Sequence, residues 1–143
     1  MSGIQTRIEQ IVERFSKFKD WEDRYGAIID LGKSLPLMKD EFKTEANKVK
    51  GCQSQVWLFA ELSGDKVIFH ADSDATIVKG LVALLVEVYS GSTPDEILMT
   101  KPTFLETIGL REHLSMSRAN GLNSMVKQIS LYAMAYKVKL QQK

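Results

Sequence analysis

Between Val56 and Leu62 the chain alternates: Val56, Leu58, Ala60 and Leu62 fall on one side, with Trp57, Phe59 and Glu61 on the other. A period of two marks a β-strand, because successive side chains of an extended backbone point to opposite faces. Ser63-Gly64-Asp65 then supplies turn chemistry, and KVIFHA returns as a second strand. Both faces of this hairpin carry apolar residues, so both need cover, and an isolated two-stranded hairpin is marginal in water. The rest of the chain has to provide that cover. Lys48–Gly51 offers a short third strand beside it.

The cover reads as helical. Ile4, Ile8, Ile11, Val12, Phe15 and Phe18 recur every three or four residues, the mark of one face of an amphipathic helix. Asp20 suits the N-cap of a second helix, with Glu22 and Asp23 in its positive first turn and Gly32 at the C′ position. The stretch LPLMKDEFKTEANKVKG, Leu35–Gly51, has no clear period and reads mainly as loop. Asp72-Ser73-Asp74 offers an N-cap for a helix from Ala75 to about Tyr89, apolar almost all round and therefore central and buried. Thr93-Pro94-Asp95-Glu96 opens a short helix with Pro at its first position, and another short segment follows Pro102 and stops at Gly109. The last helix runs from Met116 to about Leu140, capped by Ser115, with Leu122, Met125, Val126, Ile129, Ala133 and Tyr136 as its buried stripe. The expected class is α+β: a small antiparallel sheet of about three strands flanked by helices, with a long C-terminal helix.

The 143 residues fit one domain spanning 1–143, large enough to bury a core without a disulfide or structural metal. A formal net charge of +1 gives no basic field for nucleic acid. The longest apolar run, Leu81–Tyr89, is too short to span a bilayer and contains Glu87, so no membrane segment is expected. MSGIQTRIEQIVERF interleaves charges with its apolar residues and does not read as a signal peptide. A single cysteine forms no internal disulfide and fits a reducing compartment, so a cytoplasmic protein is expected.

That cysteine, Cys52 in KVKGCQSQVWLF, admits three readings: nucleophile, metal ligand, or small buried apolar residue. One Cys with His70 and His113 gives no metal motif, and no glycine-rich phosphate cradle is present, so no metal or cofactor is expected. A cysteine hydrolase would need His113 beside Cys52 as its base. GCQSQVW echoes a papain-type signature only loosely, since a strand and not a helix follows the cysteine. Cys52 follows Gly51 at a loop-to-strand junction, and Lys48 and Lys50 nearby would favour the thiolate. An accessible loop thiolate suits attack on a sulfur atom, which needs in-line access more than an elaborate pocket. A second cluster lies at SRANGL, Ser117–Leu122. Arg118 in a helix's first turn opposes the macrodipole and Gly121 is a poor helix former, so another demand is being met there. An ion pair from Arg118 to Asp72 or Asp74 is one such demand, and close packing is another.

GCQSQVWL (Gly51–Leu58), ADSDATIVKGLVALL (Ala71–Leu85) and HLSMSRANGLNSM (His113–Met125) resemble the hallmark segments of the SufE family, as do Trp21–Tyr25 and LGKSLP at Leu31–Pro36. The resemblance covers nearly the whole chain, in order. It implies a SufE/NifU-like fold and a sulfur acceptor for a SufS-type, PLP-dependent cysteine desulfurase in iron–sulfur cluster assembly. It further implies that Cys52 accepts the persulfide, that the desulfurase is stimulated, and that sulfur passes on to a SufBCD-type scaffold. The PLP belongs to the partner, so the chain itself needs no cofactor, and it turns over nothing without that partner. Gly51, Gln53, Ser54, Asp72, Asp74, His113 and Arg118 are the candidates for partner docking or loop support. Having one cysteine, the chain lacks the ligands of the related IscU and NifU scaffolds. An acceptor of the CsdE type, serving a different desulfurase, carries the same features and stays open, and the expected state is a monomer or weak homodimer.

Overall fold

The structure, a computed structural model, describes residues 3–142. Helices α1 (Ile4–Ser16) and α2 (Trp21–Lys33) lead into a long connection, and the hairpin β1 (Val56–Ser63) and β2 (Lys66–Ser73) follows. Then come α3 (Thr76–Tyr89), the short α4 (Pro94–Met99) and α5 (Phe104–Thr107), and the 26-residue α6 (Met116–Gln141). The α+β class and the long C-terminal helix agree with the sequence reading. No described helix is long and apolar enough to cross a membrane.

The strands pair antiparallel from Val56↔Ser73 to Ser63↔Lys66, with Gly64 at φ 65° in the turn. The inner face, Val56, Leu58, Ala60, Val67, Phe69 and Ala71, is buried in one core with Leu81, Leu84, Leu85 and Val88 of α3 and Leu122, Met125 and Ile129 of α6. The ladder has two strands, not about three. Lys48 contributes only a single bridge to Trp57, with the Val49 N–H donating to Val56 O at 2.8 Å. The reason lies in how the edges are satisfied. On β1 the next outward carbonyls, Leu58 O and Ala60 O, accept from the hydroxyls of Tyr132 and Tyr136 on α6 at 3.1 and 2.7 Å. On β2 the Val67 N–H donates to Ser92 O, and the Phe69 N–H donates to Ser90 Oγ. Edge groups so partnered leave little for a further strand to bond.

The outer face carries Trp57, Phe59, His70 and Asp72, and the connection before Cys52 lies across it. Two 3₁₀ turns, Asp40–Phe42 and Glu45–Asn47, shape that connection. Phe42 stacks on Phe59 with centroids 4.8 Å apart, and Lys43 Nζ lies 5.6 Å from the Trp57 ring.

Two sequence expectations change. Asp20 caps α2 as expected, accepting from the Asp23 N–H at 2.9 Å. Gly32, however, lies inside α2 and not beyond its end. There it meets Gly80 of α3: a Cβ on Gly32 would sit 2.9 Å from Gly80 N, and one on Gly80 would sit 2.1 Å from Ile28 O. The glycines let two helix backbones cross in contact. Likewise Asp72-Ser73-Asp74 does not end in a side-chain cap. β2 continues through Ser73, and the N-cap of α3 is Ala75 without a side-chain cap bond. The two aspartates are used elsewhere, as the site makes clear.

Candidate functional site

Gly51 sets the direction of the cysteine loop. Its φ of 93° lies in the region that disfavours side chains, and a Cβ there would stand 2.6 Å from Ser124 Oγ on α6. The loop therefore turns tightly against α6 and brings Cys52, half-buried, onto that helix. Cys52 Sγ donates to Gly121 O at 3.6 Å, and a Cβ on Gly121 would stand 3.3 Å from Sγ. The glycine one turn into α6 thus packs directly against the cysteine.

A pocket of about 330 Å³ opens beside the thiol. Gln53 and Ser54 line it from the loop, Val78 from α3, Ser115 from the N-cap of α6, and Ser117, Arg118 and Met125 from α6 itself. The lining mixes apolar side chains with hydroxyls, an amide and a guanidinium. The fold thus gathers Cys52, Gln53, Ser54 and Arg118 around one cavity, with Gly51 fixing the turn behind them.

Burial pushes the Cys52 thiol above its ordinary pKa. The expectation that Lys48 and Lys50 would favour the thiolate is not met. Lys48 Nζ pairs with Glu45 at 2.8 Å, Lys50 is exposed, and neither lines the pocket. At rest the sulfur is a neutral donor to a carbonyl.

The other candidates lie outside the pocket. Asp74 Oδ1 accepts from the Gln55 N–H at 3.0 Å, while the Asp74 N–H donates to Gln55 O at 3.2 Å, so this residue clamps the end of the cysteine loop to the end of β2. Asp72, only 6% exposed, pairs with Lys43 and Lys79 at 3.0 and 3.3 Å. The expected ion pair from Arg118 to either aspartate is absent among the described residues, because lysines closer in the fold hold one and a backbone amide holds the other. His113 is not a base for Cys52 either. Its ring stacks on Trp21 with centroids 3.9 Å apart, and its Nδ1–H donates to Gly109 O at 3.0 Å. Ser124, Val78 and Met125 carried no sequence signal of their own. Ser124 is met through the Gly51 turn, and the other two belong to apolar helix faces that read only as core.

The chain matches the family model described as "SufE: Fe-S metabolism associated domain" over residues 9–133. It is 46% identical over 131 residues to a SufE-like protein of Rhizobium meliloti, covering 87% of this chain and 92% of that protein. It is 48% identical over 127 residues to one from Rhizobium etli (85% and 86% covered), and 44% identical over 135 residues to one from Synechocystis (94% and 85% covered). A solution structure of a hypothetical protein from Thermus thermophilus superposes with a TM-score of 0.78 at 23% identity, covering 92% of this chain and 96% of that one, which extends the likeness to the fold.

Proposed function

The chain belongs to the SufE family of Fe–S metabolism proteins, and we propose that within it Cys52 is the nucleophile that accepts sulfur from a SufS-type cysteine desulfurase. The desulfurase presents a cysteine persulfide. Cys52, once deprotonated, attacks the outer sulfur, the donor's S–S bond breaks, and the donor cysteine leaves as a thiolate. The product Cys52–S–SH then meets a second nucleophile, a SufBCD-type scaffold, and gives up the same sulfur. Stimulation of the desulfurase follows from the same exchange, because it empties the donor cysteine for another turnover.

The observation that carries this reading is the placement of the lone cysteine: half-buried on a glycine-directed surface loop, against α6, in the lining of a cavity that also holds apolar side chains and a guanidinium. A carrier needs both qualities. Half-burial shields the resting thiol from bulk oxidants, and a surface loop leaves it reachable by two successive proteins. Arg118, exposed on the cavity rim, supplies positive charge where an anionic persulfide sulfur would extend. Asp74 supports the reaction from behind by holding the loop at Gln55.

Intact mass after mixing with a SufS-type desulfurase and L-cysteine, without reductant, tests the reading. A gain of sulfur in the natural chain and none in Cys52→Ser supports it. No gain with an active desulfurase removes the carrier role from Cys52.

A further inference from the structure

Gly121 is buried inside α6, where alanine would be the better helix former. The three atoms nearest to a Cβ placed there all belong to Cys52: Sγ at 3.3 Å, Cβ at 3.8 Å and Cα at 3.9 Å. The same residue's carbonyl is the acceptor for Sγ. We propose that Gly121 is a positioning residue for Cys52, forming a seat that admits the neutral thiol and rejects both the thiolate and the persulfide. The proposal rests on the reading of Cys52 as a sulfur acceptor and says how that site is held between transfers.

The argument is one of donors and acceptors. A carbonyl oxygen can only accept, so it welcomes S–H and faces a thiolate with lone pairs opposed. In the ionised persulfide, Cys52–S–S⁻, Sγ carries a second sulfur and neither sulfur has a hydrogen, so it too has nothing to donate. The exchange is balanced without an oxidant: the Cys52 proton goes to solvent, one S–S bond breaks, one forms, and the electron pair leaves on the donor's inner sulfur. Deprotonation removes the hydrogen that held Sγ to Gly121 O, and the new S–S bond keeps it from returning. Activation and loading thereby release the side chain toward the open pocket and its Arg118 rim. Unloading restores a thiol that returns to the seat.

Gly121→Ala tests this without any partner. The methyl group closes the seat from inside van der Waals contact with Sγ. Expected outcomes are a rise of roughly three- to tenfold in the rate of iodoacetamide alkylation at pH 7, with the midpoint of its pH profile moved downward. Thermal melts of Gly121→Ala alone and in a Cys52→Ala background form a cycle, with Gly26→Ala, whose Cβ meets nothing within 4 Å, as the helix-propensity control. Alanine at 121 should raise Tm as Gly26→Ala does when Cys52 is absent, and raise it less or lower it when Cys52 is present. An unchanged alkylation profile overturns the proposal. So does an equal loss of Tm or of folding in both backgrounds, which would place the clash elsewhere. Sulfur uptake from a desulfurase is measured separately: a chain that passes the alkylation test but gains no sulfur keeps the seat and loses the acceptor role.

Discussion

Lys43 Nζ lies 3.0 Å from Asp72 Oδ2, which ties the connection leading to Cys52 onto the outer face of the hairpin. Lys79 approaches the other oxygen at 3.3 Å, and the Ser73 N–H donates to it at 2.8 Å. Burial pushes the Asp72 carboxyl upward, yet the Lys43 hydrogen bond, the Ser73 amide and the two ammonium charges outweigh it, leaving the group below its ordinary pKa. Asp72 is thus a strap anchor.

A lowered carboxyl pKa contributes stability that is present above the unfolded value of about 3.9 and is lost as pH falls through the folded value. Asp72→Ala should cost about 1–3 kcal/mol at neutral pH, since it leaves the buried Ser73 amide unpaired and takes the counter-charge from two partly exposed lysines. The gap in Tm between the natural chain and the variant should close as pH falls below about 4. Melts from pH 3 to pH 7 measure it, and a gap independent of pH would contradict the assignment.

The crossing of α2 and α3 predicts opposite results for two glycines in the same helix pair. Gly80→Ala drives a Cβ to 2.1 Å from Ile28 O, where only backbone movement can relieve it. It should cost at least roughly 3 kcal/mol. Gly26→Ala, on an exposed face of α2 with no neighbour, should instead stabilise by up to about 1 kcal/mol. Chemical denaturation of both variants checks the pair.

These glycines also mark where sequence stops informing structure. Periodicity locates α1 and α6, cap residues locate α2, an apolar run locates α3 and alternation locates the hairpin, because those signals are local. Gly32 looked like a C-cap since a helix-ending glycine and a helix-packing glycine are the same residue until the partner helix is in view. A third strand does not form, and nothing local says so, because the hydroxyls that occupy the β1 edge, Tyr132 and Tyr136, come from the far end of the chain. The site divides in the same way. Cys52 stood out by chemistry, and Arg118 with Gly121 by breaking helix rules, and the fold brings all three to one cavity wall. Asp72 and Arg118 have opposite charges and plausible spacing, but the choice of Lys43 and Lys79 depends on how a loop crosses a sheet. The lysines beside Cys52 misled for a similar reason: nearness in sequence did not aim their charges at the thiol.

The Trp21–His113 stack predicts a negative result for hydrolase chemistry. With its Nδ1–H on Gly109 O and its face on Trp21, His113 supports the loop before α6. His113→Ala should lower Tm by about 2–4 °C through loss of the stack. It should leave the rate of Cys52 alkylation at neutral pH within roughly twofold of the natural chain, where removal of a catalytic base costs at least about a hundredfold. A loss on that scale would restore a Cys–His pair.

The Cys52 thiol gives a pH dependence of the opposite sense to that of Asp72. Its pKa is raised by burial, so the folded chain holds the proton longer than the unfolded chain, whose thiol titrates near about 8.5. The stabilisation is fully present below that value. It falls once the unfolded chain begins to ionise, and it is lost as pH rises through the folded pKa. The natural chain should therefore lose more Tm between about pH 8 and pH 10 than Cys52→Ala does, a comparison that cancels the tyrosines common to both. Alkylation of the native protein should titrate above about 8.5 and return to that value in denaturant. A native midpoint at or below the free-thiol value would mean an exposed, charge-stabilised thiolate. The neutral resting thiol on Gly121 would then be wrong, while sulfur acceptance by Cys52 would still stand or fall by its own mass shift.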